Sequence, residues 1–137
     1  MIRSLCTIAV LAHLLVSLVH GYAHNELGVG LSVSQSWYVL IVITVAPLVA
    51  LSLVWTRHRR IGFLLLIVSM AGSLIFGGYY HYVFVSPDHV SHLPPGDAQG
   101  LFRVTALLLA VTEVFGLIVG VLGLRGVPIS GKVTDLG

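Results

Sequence analysis

Four long apolar runs occupy most of this chain, and they constrain its fold more than any other feature of the sequence. The runs cover residues 2–22, 37–56, 61–84 and 101–124. Crossing the hydrocarbon core of a bilayer, about 30 Å thick, takes about 20 residues of α-helix. Four such helices leave only short connections in a chain of 137 residues. We therefore predict an all-α integral membrane protein, with one four-helix transmembrane domain over residues 1–125 and a short flexible cytoplasmic tail over 126–137.

The composition supports a chain that lies mostly in lipid. Hydrophobic residues make up 57% of the sequence and charged residues 9%, whereas soluble domains contain about 25% charged residues. The mean hydropathy is +1.02. A net charge of +2, without a basic run outside one short turn, also argues against nucleic-acid binding.

The basic residues cluster at one end of the predicted bundle. Six of the seven are Arg3, Arg57, Arg59, Arg60, Arg125 and Lys132. Basic residues favour the cytoplasmic side of a membrane protein, so we predict that both termini are cytoplasmic. The longer connections, 23–36 and 85–100, then lie on the extracytoplasmic side of the cell membrane.

The first apolar run has a second interpretation. Residues 1–23 also resemble a secretory signal, with a basic start, an apolar stretch and small residues before a cleavage point. Cleavage would make His24 the mature N-terminus, whose amine and imidazole could chelate one metal ion, as in the histidine brace of copper oxygenases. The run is long for a signal peptide, so an intact first helix is the preferred prediction.

A polar stripe follows one face of the first helix. His13, Ser17, His20 and His24 are spaced by four, three and four residues, which places them on one side of an α-helix. Such a face must meet protein or water, not lipid. His20 and His24 have the spacing by which one helix offers two imidazoles to a metal ion. The alternative is an interfacial pair bonded to water and backbone.

More imidazoles lie at the same predicted end of the bundle. His81 ends the third apolar run within a tyrosine-rich stretch, and the following loop contains Asp88, His89 and His92. We predict a metal site whose candidate ligands are His20, His24, His81, Asp88, His89 and His92. Candidate supporting residues behind them are Glu26, Asp97 and Arg103. In the alternative, the loop histidines are solvated and the tyrosines form an interfacial belt.

The available ligands restrict the cofactor. Imidazoles suit copper, zinc or non-haem iron, and the only cysteine, Cys6, lies near the cytoplasmic end, so thiolate centres are excluded from the outer end. Copper or zinc is favoured. A b-type haem between two helices is the alternative, with His81 paired to His20 or His13.

A second polar pair is predicted deeper in the membrane. His13 and Glu113 lie near the middle of the first and fourth helices, and a carboxylate in hydrocarbon needs a polar partner. We therefore predict a contact between His13 and Glu113, either as a proton relay toward the outer site or as a bridge that only specifies packing.

These patterns indicate a site but name no reaction. No phosphate-binding loop, nucleophile elbow or HExxH motif occurs, so a stand-alone enzyme is disfavoured. The preferred prediction is metal or haem binding in a redox or metal-handling system. A cofactor-free accessory subunit of a larger membrane complex is the main alternative, and a proton-coupled carrier is a third. Beyond the lipid bilayer, the expected partners are further copies of the chain or a larger membrane-protein complex.

Overall fold

The computed structural model describes residues 1–127, which fold into four long helices joined by short connections. Helix α1 is Ile2–Glu26, α2 is Val33–Val54, α3 is Arg59–Val83 and α4 is Gln99–Arg125. Each is long and apolar enough to cross a membrane, and residues 1–127 contain no β-strand. The predicted all-α class with four candidate spans is therefore confirmed. Most of the predicted tail, from residue 128 onward, lies outside the described residues.

Two helix ends differ from the predicted runs by four residues, and the others by no more than two. Helix α1 continues to Glu26, so His24 lies within the helix. Helix α2 begins at Val33, before the apolar run, because Ser32 and Gln35 form a capping box. The Ser32 hydroxyl accepts from the Gln35 amide at 3.3 Å, and Gln35 Oε1 accepts from the Ser32 amide at 2.7 Å.

A tightly packed core occupies the half of the bundle that contains the N-terminus and the α2–α3 turn. Its fully buried members are Cys6, Val10, Ala50, Val54, Phe63, Leu66, Met70 and Val119. Helices α3 and α4 approach closely here. A Cβ at Gly116 would lie 2.9 Å from the Met70 side chain, and one at Gly120 would lie 2.7 Å from Ile67. These glycines therefore permit the close helix contact on which packing in lipid depends.

The other half of the bundle is more open. Helix α1 packs along α4, α4 along α3 and α3 along α2, whereas α1 meets α2 mainly through Ala46–Val54. The first half of α2 is held to α3 instead, where the Tyr38 hydroxyl donates to the Gly72 carbonyl at 3.1 Å. A gap therefore remains between α1 and the first half of α2.

Pro47 and His13 together explain an irregularity in α2. Proline has no N–H, so Pro47 cannot donate to the Ile43 carbonyl four residues earlier. The helix widens into a π-helix over Val39–Val45 just before it. Buried His13 of α1 donates from Nε2 to the Ile43 carbonyl at 3.2 Å. His13 thus satisfies a backbone acceptor inside the bundle and ties α1 to α2.

This arrangement predicts a coupling between two substitutions. His13→Ala should lower the free energy of unfolding in detergent micelles by about 1 kcal/mol, because the Ile43 carbonyl loses its donor. In a Pro47→Ala background the residue at position 47 regains an N–H, so the cost of His13→Ala should fall to less than about half of that value. An equal cost in both backgrounds would contradict the role of His13 as the donor that replaces the missing N–H of Pro47.

Candidate metal centre

Three histidines from two helices meet in the open half of the bundle. His20 and His24 lie one turn apart on α1, and His81 lies in the last turn of α3. One nitrogen atom from each lies within 4.8 Å of the others, and the Nε2 atoms of His20 and His81 are 3.2 Å apart. His20 and His81 are buried and His24 is half-buried. This group, called the triad below, could hold a metal ion.

The end of α1 positions the His24 ring. Gly28 has a φ of +64°, a left-handed conformation that glycine adopts without steric cost. The chain therefore turns back on the helix in a Schellman motif, with the Val29 amide donating to the His24 carbonyl at 3.0 Å. The same turn brings the Val29 carbonyl within 3.1 Å of His24 Nδ1.

The end of α3 positions His81. The helix widens into a π-helix over Tyr79–Val83, a feature frequent at functional sites. The following loop then folds back over the helix end, where the Val90 amide donates to the His81 carbonyl at 3.0 Å. This reversal carries Asp88 to the triad.

Phe102 of α4 forms one wall of the triad. Its ring centroid lies 4.6 Å from that of His20, 4.8 Å from that of His24 and 5.3 Å from that of His81. Phe102 is fully buried among residues that include Ala23, Leu27, Val29 and Leu93. This apolar packing separates the three imidazoles from the aqueous loops above them.

Hydrogen bonds to backbone carbonyls assign the tautomers of two members of the triad. His24 Nδ1 faces the Val29 carbonyl at 3.1 Å, and His81 Nδ1 faces the Asp88 carbonyl at 3.1 Å. A carbonyl can only accept, so Nδ1 carries the proton in both rings. In the neutral rings, Nε2 is left with a free lone pair.

A side chain of α4 assigns the tautomer of His20. His20 Nδ1 lies 2.8 Å from Thr105 Oγ1. The single hydroxyl proton of Thr105 is directed at the carbonyls of Leu101 and Phe102, at 2.7 and 3.1 Å, so its oxygen accepts from His20. When neutral, all three imidazoles therefore hold their free lone pairs on Nε2. Those of His20 and His81 face each other at 3.2 Å, and that of His24 faces Asp88 Oδ1 at 3.3 Å, so both pairs of atoms repel unless a cation or a proton lies between them.

Asp88 adds negative charge to the triad. Its Oδ1 lies 3.3 Å from His24 Nε2 and 3.2 Å from His81 Nδ1, and it is a buried oxygen without a geometrically satisfactory hydrogen bond within residues 1–127. Burial raises the pKa of Asp88, but the nearby N–H of His81, together with any positive charge on the triad, lowers it below its ordinary value. The carboxylate is therefore ionised at neutral pH and attracts a cation.

The structure places the other candidate residues away from the triad. His89 and His92 pair with each other through their Nδ1 atoms at 3.2 Å, and His92 is exposed. Glu26 and Asp97 are also exposed, and Arg103 donates to the Val90 carbonyl at 2.9 Å. Of the six candidate ligands, the fold brings together His20, His24, His81 and Asp88, because the loop turns Asp88 inward.

The expected contact between His13 and Glu113 does not form. Glu113 accepts a short hydrogen bond from Ser73 of α3, while His13 bonds the Ile43 carbonyl. Similar depth along the bundle was insufficient for pairing, because each of the two side chains is bonded to a different partner. Glu113 instead lines a cavity that also reaches the triad.

Sequence reasoning missed three supporting residues, Val29, Phe102 and Thr105. Val29 acts through its backbone carbonyl, which no residue type reveals. Thr105 and Phe102 lie three residues apart on the face of α4 that packs against the histidines. A polar residue among apolar ones on that face was the signal that could have identified Thr105.

Comparison with models of known protein families, with curated protein sequences and with solved structures finds no match for this chain.

The tautomer assignment can be tested by ¹⁵N NMR of histidine-labelled, metal-free protein at neutral pH. His20, His24 and His81 should each carry the proton on Nδ1. Thr105→Val removes the acceptor for His20, so that ring should shift toward the other tautomer while His24 stays unchanged. Thr112→Val is the matched control, since the Thr112 hydroxyl donates to the Leu109 carbonyl and its oxygen faces His13, not the triad. An unshifted His20 in Thr105→Val would contradict the assignment.

Proposed function

We propose that this protein is an integral membrane metalloprotein that binds one transition-metal ion through His20, His24 and His81. The observation that supports it best is the set of three Nδ1 hydrogen bonds, which direct the free lone pairs of the triad to Nε2. Oriented imidazoles of this kind are characteristic of metal ligands, whose second nitrogen is held by an oxygen. Two facing lone pairs repel unless a cation lies between them.

The spacing of the nitrogens supports an ion of ordinary size. Zinc–nitrogen bonds are about 2.0–2.1 Å, so two ligands of one tetrahedral ion lie about 3.4 Å apart. The 3.2 Å separation between His20 and His81 is close to this value. The His24 nitrogen, which lies within 4.8 Å of the other two, would have to approach by up to about 1.4 Å to reach the same tetrahedral spacing.

Copper or zinc is the ion that we propose. Imidazole ligands suit both, and Asp88 resembles the carboxylate that commonly holds a ligating histidine from behind, through His81 Nδ1. If Asp88 has this supporting role, the ion has three protein ligands. Three ligands with an open position are typical of a reactive metal site, whereas structural zinc sites have four.

Haem is less well supported than an ion. A macrocycle bound by His20 and His81 would have to pass between rings whose centroids are 4.9 Å apart and whose nearest nitrogens are 3.2 Å apart. Phe102 also packs against all three imidazoles. The helices would have to separate to admit a porphyrin.

For the location, we propose the cell membrane, with the triad near its extracytoplasmic side. Arg3, Arg57 and Arg60 lie at the opposite end of the bundle, which the distribution of basic residues makes cytoplasmic. A site near the outer surface is suited to redox chemistry or metal handling outside the cytoplasm. Assembly with further copies or with a larger complex is part of the same proposal.

A cofactor-free accessory subunit is the alternative function. One observation is compatible with it, since a proton shared between His20 and His81 would also relieve the repulsion of their lone pairs across 3.2 Å. The triad would then be a buried hydrogen-bond network that specifies packing. Metal content separates the two functions.

Elemental analysis of detergent-purified protein, with copper and zinc titrations, tests the metal site. The wild type should bind about one ion per chain. His20→Gln, His24→Gln and His81→Gln should each weaken metal binding by more than about 100-fold, because loss of a residue that only supports a ligand weakens it by about 10- to 100-fold. Asp88→Asn should weaken it by about 10- to 100-fold. An optical spectrum with a Soret band would indicate haem instead.

The loop histidines provide the matched control. His89→Gln and His92→Gln remove the same chemical group at the same end of the bundle but outside the triad. Both variants should bind metal like the wild type. Equal losses in the loop and triad variants would show that binding is non-specific, and the absence of metal from all of them would favour the accessory subunit.

A further inference from the structure

A cavity of about 190 Å³ extends from the triad into the membrane-spanning part of the bundle. His20, His24, His81 and Asp88 line its outer end, and Ser73 and Glu113 line its inner end. Ser73 precedes His81 by eight residues on α3, so the two ends lie roughly 12 Å apart along the helix. The polar groups thus lie at opposite ends of one elongated space.

Between these ends the cavity is mostly apolar, apart from Ser17, whose hydroxyl donates to the His13 carbonyl at 2.8 Å. Its walls include Leu31, Val39, Ile43, Phe76 and Leu109. A cavity of about 150 Å³ with comparable walls stays dry and binds benzene. A space of about 190 Å³ therefore has room for one aromatic ring or a short alkyl chain, with polar groups at its ends.

An opening to the cavity lies beside Gly21 of α1. Gly21 lines the cavity and is exposed, and no atom lies within 4 Å of the position that a Cβ would take there. This is the side on which α1 stands apart from the first half of α2. Gly21 directly follows His20, so the opening lies level with the triad. In the proposed membrane setting, a molecule held in the outer part of the bilayer could enter here.

Glu113 can bind a hydrogen-bond donor at the inner end. Within residues 1–127 its carboxyl group makes one hydrogen bond, which it accepts from Ser73. The residue is 3% exposed and contributes to the cavity wall. A buried carboxyl group needs polar partners, and a ligand hydroxyl or amine would supply one.

We infer that the cavity binds a small, membrane-soluble ligand with an apolar body and two polar ends. One end donates a hydrogen bond to Glu113, and the other occupies the open position of the ion held by the triad. The inference rests on the proposed metal site and assigns it a ligand class, a compact amphiphile about the size of one substituted aromatic ring.

Three probes of increasing complexity test this inference on cobalt-loaded protein, since the visible absorption of Co²⁺ responds to its ligands. Acetohydroxamate supplies only the metal-binding group, benzohydroxamate adds one apolar ring, and 4-hydroxybenzohydroxamate adds a donor on that ring. In the wild type the ring should tighten binding by about tenfold or more through apolar burial. The hydroxyl should add roughly threefold to tenfold through its hydrogen bond.

Three variants test where the phenyl ring and the hydroxyl group of the probes bind. Gly21→Leu places a side chain at the opening and should abolish the gain from the phenyl ring, and Glu113→Ala should abolish only the gain from the hydroxyl. Gly100→Leu is the matched control, because it also has open space around its Cβ position and lies outside the cavity lining. Cobalt uptake by each variant reports that the triad is folded, and Gly21→Val replaces Gly21→Leu if the larger residue prevents uptake.

The outcomes separate this inference from the proposed function. Wild-type protein that takes up cobalt but binds the three probes equally overturns the inference and leaves the metal site in place. Gains that persist in Gly21→Leu also overturn it, because the ring would then lie elsewhere. Failure of the wild type to bind cobalt, copper or zinc overturns both.

Discussion

Three hydrogen bonds at the Nδ1 atoms of His20, His24 and His81 determine the character of the open half of this bundle. Each acceptor comes from a different part of the chain: the turn after α1, the loop after α3 and the side of α4. The helices must therefore assemble before the three rings take one common tautomer. Once they do, the free lone pairs and the Asp88 carboxylate form a negative site that a cation stabilises.

The two halves of the bundle divide stability and chemistry between them. For helices that span a bilayer, as we propose for these four, association depends on close packing and polar contacts more than on the hydrophobic effect. The half with the N-terminus supplies that packing, with Gly116 and Gly120 against α3. The other half can then retain a cavity and a carboxylate oxygen without a satisfactory partner, features that are costly in a core and typical of functional sites.

Much of this architecture could be predicted from the sequence, and the errors have identifiable causes. Apolar run length predicts four helices because the bilayer sets a minimum span. Four-residue spacing places His20 and His24 on one face because an α-helix has 3.6 residues per turn. The positions of the loop residues could not be predicted, since nothing in the local sequence indicates that Asp88 turns inward while His92 turns outward. His13 illustrates the same limit, because its partner is a backbone carbonyl freed by Pro47 and not the carboxylate at similar depth.

The sequence by itself determined the number of helices, their approximate ends and the face of α1 that carries histidine. These properties follow from short-range periodicity and from the thickness of the membrane. Only the tertiary structure decided which histidines meet, which nitrogen of each is free and where the cavity lies. Those outcomes depend on the rotation of each helix about its axis and on the path of each loop, which are set by packing between residues far apart in the chain.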